Sequence, residues 1–336
     1  MKLSIGIVGL PNVGKSLLFN ILTKQQVNTA NYPFATIDPN IGIVPVPDER
    51  VDKLAEMSKS AKKVPAVVEF YDIAGLVKGA NKGEGLGNQF LSHIRDVSAI
   101  VQVVRCFENS EIIHVENSVN PIRDIDTINT ELALKDLDTV EKRFGKLEGE
   151  ARTGDKQKIK ELEIIKKAKD ALNENKLIFN LGKDFTNETA IKELNLLTAK
   201  QQIYLLNGKE EDVSEELKNK IKLLNADYIV MDLSSEENID DLIKKAYEIL
   251  NLISFLTTGE DETRAWTIEN GYKAPQAAGV IHTDFEHKFI KMEAIDWKKF
   301  LEAGSWAGAK QKGWLRLEGK EYVVKDGDVV VIKHAP

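Results

Sequence analysis

The hydrophobic and polar positions divide the chain into three parts with different periodicity. The first part contains short apolar runs at 3–8, 64–72 and 99–104, separated by segments with helical spacing. Such runs are typical of buried parallel strands, because helices cover both faces of the sheet. Two later runs, 202–206 and 228–232, have the same character. The pattern therefore predicts an α/β domain built from residues 1–127 and 198–252.

The middle part has the periodicity of a coiled coil. Between about residue 128 and residue 176, apolar residues recur at alternating spacings of three and four, and Thr153-Gly154-Asp155 interrupts them. We therefore predict an inserted antiparallel helical hairpin, residues 128–197, with arms of about 30 Å. Its tip carries the basic residues Arg152, Lys156, Lys158 and Lys160. This basic run is either a solvated face or a contact for an acidic partner such as RNA.

The last part, residues 253–336, is rich in glycine and tryptophan. Its final segment, 321–332, alternates like two strands around an Asp-Gly turn at Asp326-Gly327, which predicts a β-hairpin. We interpret this part as a small α+β domain.

Composition limits the classes of partner. The 336 residues carry a net charge of −7, which gives no general attraction to DNA or to an acidic membrane. The one cysteine, Cys106, excludes an intramolecular disulfide and fits a reducing compartment. No apolar run is long enough to span a bilayer. We expect a cytoplasmic protein that binds neither membranes nor DNA.

The first strand-like run leads into a phosphate-binding motif. Residues 9–16 read GLPNVGKS, the Walker A pattern, and a helix-like segment follows them. The glycines and the helix N-terminus bring backbone N–H groups to the phosphates, Lys15 reaches the β and γ phosphates, and the Ser16 hydroxyl ligates Mg²⁺. The predicted nucleotide-binding residues here are Asn12, Val13, Gly14, Lys15, Ser16 and Leu17.

A second motif supplies the other predicted magnesium ligands. Asp72 ends a buried strand and starts the Asp-x-x-Gly pattern of Walker B, in which Asp72 holds Mg²⁺ and Gly75 senses the γ phosphate. Thr36, in the preceding turn-rich stretch, is the candidate that joins the metal shell, and its alternative is an ordinary turn threonine. Leu76 stands where Ras-like proteins place the glutamine that orients water, so another group must do so.

His114 is the candidate catalytic residue. It follows the strand at 99–104, and ligands bind beyond the carboxyl ends of strands in open α/β sheets. Imidazole is the most common general base, so we predict that His114 positions or activates the water. The alternative is a histidine on a surface loop.

The base site is predicted after the strand at 202–206. GTPases usually carry Asn-Lys-x-Asp there, whereas this chain has Asn207, Gly208, Lys209 and Glu210. Glycine lacks the lysine stem that packs along the site, and glutamate is longer than aspartate, so guanine selectivity should weaken. The predicted base-site residues are Leu206, Asn207, Glu210 and Ser234. The segment 180–184 has similar residue types at the wrong spacing.

Several segments together resemble one family. These are NYPFATIDPN at 31–40, DIAGLVKGA at 72–80, GEGLGN at 83–88, and RAWT, APQAAG and IHTDF within 264–285. They are similar to the Obg-related branch of translation-factor GTPases, and specifically to the YchF-type Obg-like ATPases. The resemblance covers essentially the whole chain. It implies a P-loop NTPase G domain (α/β) with a coiled-coil insertion and a carboxyl-terminal TGS domain, which is α+β and β-grasp-like.

The resemblance also implies an activity. It implies a Mg²⁺-dependent ATPase that prefers ATP over GTP, an Asn-x-x-Glu base motif and association with the ribosome or ribosomal RNA. An asparagine at the place of Asn12 helps to bind K⁺ in related loops. Two alternatives stay open, namely a GTP-specific GTPase and a ribosome- or RNA-binding adaptor with little turnover.

Overall fold

The computed structural model describes residues 3–24, 41–72, 97–112, 114, 118–236 and 238–335. Within these ranges the chain forms two six-stranded sheets and a long helical hairpin. None of the helices in these ranges combines the length and the apolarity that a membrane span requires. The predictions for Thr36, Gly75 and Leu76 fall outside the described residues.

The first sheet is the predicted α/β sheet, with strand order β2-β4-β1-β5-β6-β7. Only β2 runs antiparallel to its neighbour, and the other pairs are parallel. The central strand β5 is buried along its whole length, as its continuous apolar run predicts. The strands are β1 (Leu3–Val8), β2 (Ile41–Pro45), β4 (Val67–Asp72), β5 (Ala99–Arg105), β6 (Gln201–Asn207) and β7 (Asp227–Met231).

In the part of the chain that the structure describes, four helices accompany this sheet or its connections. They are α1 (Lys15–Lys24), α2 (Glu49–Ser58), α7 (Glu215–Leu223) and α8 (Asp240–Ile249). Helix α2 starts at an Asp48 cap, whose side chain accepts from the Arg50 N–H, and it ends at Lys59 in the left-handed conformation. The α2 segment and the short strand β3 (Lys62–Val64) lie between β2 and β4 in sequence.

The predicted hairpin is formed by α3 (Pro121–Ala151) and α4 (Lys156–Asn173). Helix α3 begins before residue 128, because Asn120 caps it and Pro121 suits its first turn. The seam buries Val140, Leu147 and Ile165. Two short helices follow, α5 (Lys183–Thr186) and α6 (Thr189–Lys192), together with 3₁₀ turns at Ile178–Leu181 and Leu197–Ala199.

The second sheet has the order β11-β10-β12-β8-β9-β3. Its strands are β3, β8 (Leu252–Thr258), β9 (Glu262–Glu269), β10 (Phe289–Asp296), β11 (Arg316–Glu318) and β12 (Asp328–His334), and its helices are α9 (Ala274–Ile281), α10 (Thr283–His287), α11 (Trp297–Ala303) and α12 (Trp306–Gln311). The architecture confirms the predicted fold class: a P-loop G domain, a helical insertion and an α+β domain.

The predicted β-hairpin over 321–332 is wrong. Strand β12 pairs with β10 and β8, and its antiparallel partner β10 lies far away in sequence. The Asp326-Gly327 pair does mark a turn, since Gly327 has a φ of +79°. Strand β12 thus pairs with strands that are distant in sequence rather than with the residues before its turn.

Strand β3 joins the two sheets into one body. It comes from the first part of the sequence but pairs in parallel with β9, Lys62 opposite Glu262. Around it, Ser60 Oγ donates to the Gly259 carbonyl at 2.6 Å, and the Arg50 guanidinium contacts Asp326 at 2.7 Å. One hydrophobic core contains residues of both parts, among them Ile5 of β1, Leu54 of α2, Leu256 of β8, Phe300 of α11 and Val329 of β12. The two parts therefore share a sheet and a core.

Candidate nucleotide site

Two glycines of the phosphate loop lie where a side chain would clash. A Cβ on Gly9 would lie 2.5 Å from the Val103 carbonyl oxygen, and a Cβ on Gly14 would lie 2.5 Å from Asn207 Nδ2. Gly14 also has a φ of +112°, which L side chains rarely adopt. The glycines thus let the loop pack against β5 and β6 between β1 and α1.

Lys15 lies in the first turn of α1 and points back along the loop. Its Nζ donates to the carbonyl oxygens of Gly9 at 2.9 Å and Leu10 at 2.6 Å. Burial lowers the pKa of Lys15, and the nearby charge of Asp72 opposes that shift. Burial raises the pKa of Asp72, and Lys15 opposes that shift in turn. The ammonium and the carboxylate therefore favour each other's charged form in a partly desolvated site.

The metal ligands predicted within the described residues fit Mg²⁺. Asp72 Oδ1 is buried and accepts no hydrogen bond from the part of the chain that the structure describes. A buried carboxylate oxygen without a donor is costly, and a cation would satisfy it. Ser16 offers an exposed hydroxyl in the first turn of α1. Hydroxyl and carboxylate oxygens are the ligands that Mg²⁺ prefers, with phosphate oxygens and water completing the shell.

The phosphate loop opens into a cavity of about 630 Å³. Residues of the loop and of the chain after β5, β6 and β7 line it, as expected at the carboxyl ends of parallel strands. The lining residues are Asn12, Val13, Gly14, Lys15, Ser16, Leu17, Phe107, Asn109, Ile112, Asn207, Gly208, Lys209, Glu211, Asp212, Asp232 and Ser234. The predicted residues Leu206, Glu210, His114 and Asp72 do not belong to this lining among the described residues.

Asn207 joins the phosphate loop to the base side of the cavity. Its Nδ2 donates to the Val13 carbonyl at 2.8 Å, and its Oδ1 accepts from the Leu233 N–H at 3.2 Å. Asn207, Val13 and Leu233 are all buried. Both the nitrogen and the oxygen of the Asn207 amide thus bond within the protein. Asn207 therefore fixes the phosphate loop relative to the segment that follows β7.

The acidic residues after Asn207 are arranged differently from the prediction. Glu210 Oε1 accepts from Lys218 Nζ at 2.8 Å, and the Glu210 side chain is 66% exposed. Asp212 lines the cavity, and its Oδ2 accepts from the Lys209 N–H at 2.8 Å. Among the described residues, the carboxylates that line the cavity are therefore those of Glu211, Asp212 and Asp232, and Glu210 is not one of them.

The other two predicted base-site residues are Leu206 and Ser234, and of these two only Ser234 lines the cavity among the described residues. Leu206 is fully buried in a core cluster with Val104 and Tyr204, so its side chain does not reach the cavity. Ser234 lines the cavity and donates from its N–H and its hydroxyl to Asp232 Oδ1, at 3.0 and 2.6 Å. These bonds lower the pKa of Asp232, which keeps its carboxylate charged.

The cavity wall formed by the segment that follows β5 was not predicted from the sequence. Phe107, Asn109 and Ile112 line the cavity, and the buried guanidinium of Arg105 donates to the carbonyl of each at 3.0 to 3.1 Å. The same guanidinium lies 4.7 Å from the centroid of the Phe107 ring. An arginine at the end of an apolar strand was the available signal, because a buried Arg must find acceptors.

His114 lies in the interior beside the first turn of α3. Its Nε2 is 2.8 Å from Asp124 Oδ2, and both side chains are 3% exposed. In this arrangement the imidazole does not contact the cavity, so a catalytic role for His114 stays a prediction.

The comparisons with known proteins agree on one family. Residues 4–140 match a family model described as a 50S ribosome-binding GTPase, and residues 252–335 match the YchF-GTPase_C model, described as a protein of unknown function. The proteins named ribosome-binding ATPase YchF from Bacillus subtilis and Escherichia coli O157:H7 are 48% and 46% identical, over 98% of this chain and 98% of each relative.

A solved structure gives the same result. The YchF GTPase of Schizosaccharomyces pombe is 41% identical and superposes with a TM-score of 0.84, covering 99% of this chain and 98% of that one. Identity of this level over the whole length leaves no domain of the chain unmatched. The chain belongs to the YchF family of P-loop GTPase-fold proteins.

Proposed function

We propose that this chain is a Mg²⁺-dependent nucleoside triphosphatase that prefers ATP over GTP and associates with the ribosome. The observation that carries the proposal is the phosphate loop, with Lys15 at the floor of a cavity of nucleotide size. The names of the bacterial relatives, ribosome-binding ATPase, support both the substrate and the partner. A ribosomal partner also supports a cytoplasmic location.

In this proposal the loop residues bind and orient the triphosphate. Lys15 exchanges the carbonyls of Gly9 and Leu10 for the β and γ phosphates, and the N–H groups at the start of α1 bind phosphate oxygens. Ser16, Asp72 and Thr36 would hold Mg²⁺, which neutralises charge on the phosphates when bound. Hydrolysis breaks the bond between the γ phosphorus and the bridging oxygen, and water supplies the new P–O bond.

The preference for ATP is proposed from the base side of the cavity. In a guanine-selective site, the Asp at the fourth position of the Asn-Lys-x-Asp motif bonds to the base through its carboxylate. Here Glu210, at that position, pairs with Lys218, and Gly208 replaces the lysine stem. The competing function is a GTP-specific GTPase, favoured by the Asp212 carboxylate on the cavity wall and by the name of the S. pombe relative.

Two finer roles belong to the same proposal. His114 positions the attacking water once it reaches the nucleotide, because Leu76 is apolar at the usual glutamine position. Asn12 lies exposed at the rim of the cavity in the left-handed conformation, with φ +62°, and we propose it as a ligand of K⁺. A bound K⁺ would supply the positive charge that an arginine finger supplies in other phosphoryl-transfer sites.

The test is a competitive titration of ATP against GTP, combined with turnover at saturating nucleotide. The Lys15→Ala variant should lose detectable binding, whereas Lys24→Ala, at the exposed end of the same helix, should bind like wild type. Tight binding by Lys15→Ala would refute the site, and tighter GTP binding would favour the GTPase.

Turnover must also be measured with ribosomes and with K⁺ in place of Na⁺. Stimulation by either one supports the proposal that the chain acts as a nucleotide-dependent switch on the ribosome. An Asn12→Ala variant should lose only the K⁺ effect. Nucleotide binding without turnover under every condition would favour the adaptor.

A further inference from the structure

The candidate catalytic group contacts the helical hairpin through the bond between His114 and Asp124. Asp124 lies in the first turn of α3, and its Oδ2 is 2.8 Å from His114 Nε2. Both side chains are 3% exposed, so water does not compete for this bond. We name this contact the His114–Asp124 latch.

Arg123 reinforces the latch from the surface side. Its guanidinium donates to Asp124 Oδ1, from Nη2 at 3.1 Å and from Nε at 3.3 Å. It also donates to the Ser118 carbonyl at 2.6 Å and to the Ser118 hydroxyl at 3.1 Å. The Asp124 carboxylate therefore accepts hydrogen bonds from both His114 and Arg123, and these bonds fix its position.

The latch keeps the imidazole away from the chemistry. Ile112, two positions before His114, lines the nucleotide cavity, but His114 itself turns into the interior against α3. A group that activates water must come within hydrogen-bond reach of that water. His114 can do so only after its bond to Asp124 breaks.

We infer that Asp124 is a positioning residue that holds His114 withdrawn and thereby limits turnover in the isolated protein. The inference rests on the proposed role of His114 in hydrolysis. Because Asp124 belongs to α3, a displacement of the hairpin base moves the acceptor away from His114. The latch thus links the hairpin to the rate of hydrolysis through one hydrogen bond.

Replacing Asp124 with asparagine tests the latch. Asparagine keeps the shape but replaces a charge-assisted bond with a neutral one of about half the strength. We expect the kcat of Asp124→Asn for ATP without ribosomes to rise about tenfold, corresponding to about 1.4 kcal/mol, with KM unchanged. The double variant with His114→Ala should lose this gain, because the latch acts only through the imidazole.

Asp126→Asn is the matched control. Asp126 lies in the same turn region of α3, pairs with Lys220 at 2.7 Å and is half-exposed, so its replacement should leave kcat unchanged. Unchanged or lower kcat in Asp124→Asn would overturn the latch, and lower kcat would instead make Asp124 an orienting group. If His114→Ala alone turns over like wild type, the proposed role of His114 fails separately.

A measurement on the wild-type chain covers the case in which Asp124→Asn does not fold. Modification by diethylpyrocarbonate, mapped by mass spectrometry, reports the accessibility of each histidine. The latch predicts that His114 in the nucleotide-free protein reacts at least about tenfold more slowly than His282, whose side chain is 60% exposed. Equal rates for the two histidines would overturn the proposal.

Discussion

Replacing Asn207 with alanine removes the connection between the phosphate loop and the base side of the site. Two hydrogen bonds disappear, one from Nδ2 to the Val13 carbonyl and one from the Leu233 N–H to Oδ1. Val13 and Leu233 are each 1% exposed, so in the wild-type chain both groups bond to the amide rather than to solvent. Leaving a buried polar group without a partner costs about 1–3 kcal/mol, so the two sites together cost about 2–6 kcal/mol of folded-state stability.

Only part of this cost should appear in nucleotide binding. The Val13 carbonyl belongs to the phosphate loop, and without Asn207 the loop must be ordered when the phosphates bind. If binding bears the cost of that one bond, about 1–3 kcal/mol, affinity for ATP falls about 5- to 150-fold. The Asn207→Asp variant keeps the acceptor for Leu233 but replaces the donor to Val13 with a charged acceptor, so it should weaken ATP binding at least as much as Asn207→Ala.

Isothermal titration calorimetry with ATP measures the affinity, and denaturant unfolding followed by circular dichroism measures the stability. Asn187→Ala, at an exposed asparagine after α5, is the control and should stay within about 0.5 kcal/mol of wild type. Wild-type affinity together with a wild-type unfolding midpoint in Asn207→Ala would refute the assignment of Asn207 as the residue that orders the loop.

Three further outcomes follow from the structure. Burial raises the pKa of Cys106 to about 12, so the thiol is neutral at pH 8 and should react with Ellman's reagent only after unfolding; rapid labelling of the folded chain would contradict this. Arg105→Lys keeps the charge but loses the planar fork, so calorimetry should show affinity for ATP about 5- to 50-fold weaker, and unchanged affinity would show that the cavity wall forms without the fork. A chain that ends at residue 251 lacks the partner of β3 and the C-terminal side of the shared core, so it should aggregate on gel filtration; a folded monomer would contradict the shared core.

Periodicity and spacing were enough to predict the parts of the fold that local sequence determines. The continuous apolar run of β5 and the heptad spacing around Val140 and Ile165 correspond to a buried strand and a helical seam. The phosphate loop was readable because its glycines meet requirements of the loop's own geometry, such as the φ of +112° at Gly14. These signals depend on neighbours in sequence.

The remaining features depend on partners that are distant in sequence. Lys218 lies on the next helix and pairs with Glu210, which no spacing rule for the base motif includes. Phe107 reaches the cavity because Arg105 folds the following loop back on itself. Similarly, β12 follows β10 and β8 rather than the residues before its turn. Tertiary contacts selected among local conformations in each of these cases.

The placement of β3 in the second sheet has a consequence for synthesis. Lys62 of β3 pairs opposite Glu262 of β9. The helical hairpin and strands β4, β5, β6 and β7 are all translated between these two residues. At about 5–20 residues per second, the ribosome needs about 10–40 s to make that stretch. During this interval β3 has no strand partner, and part of the core around α2 stays open. The nascent chain therefore cannot pair β3 until the first strands of its last domain have been synthesised, so this part of the first domain is completed late in translation.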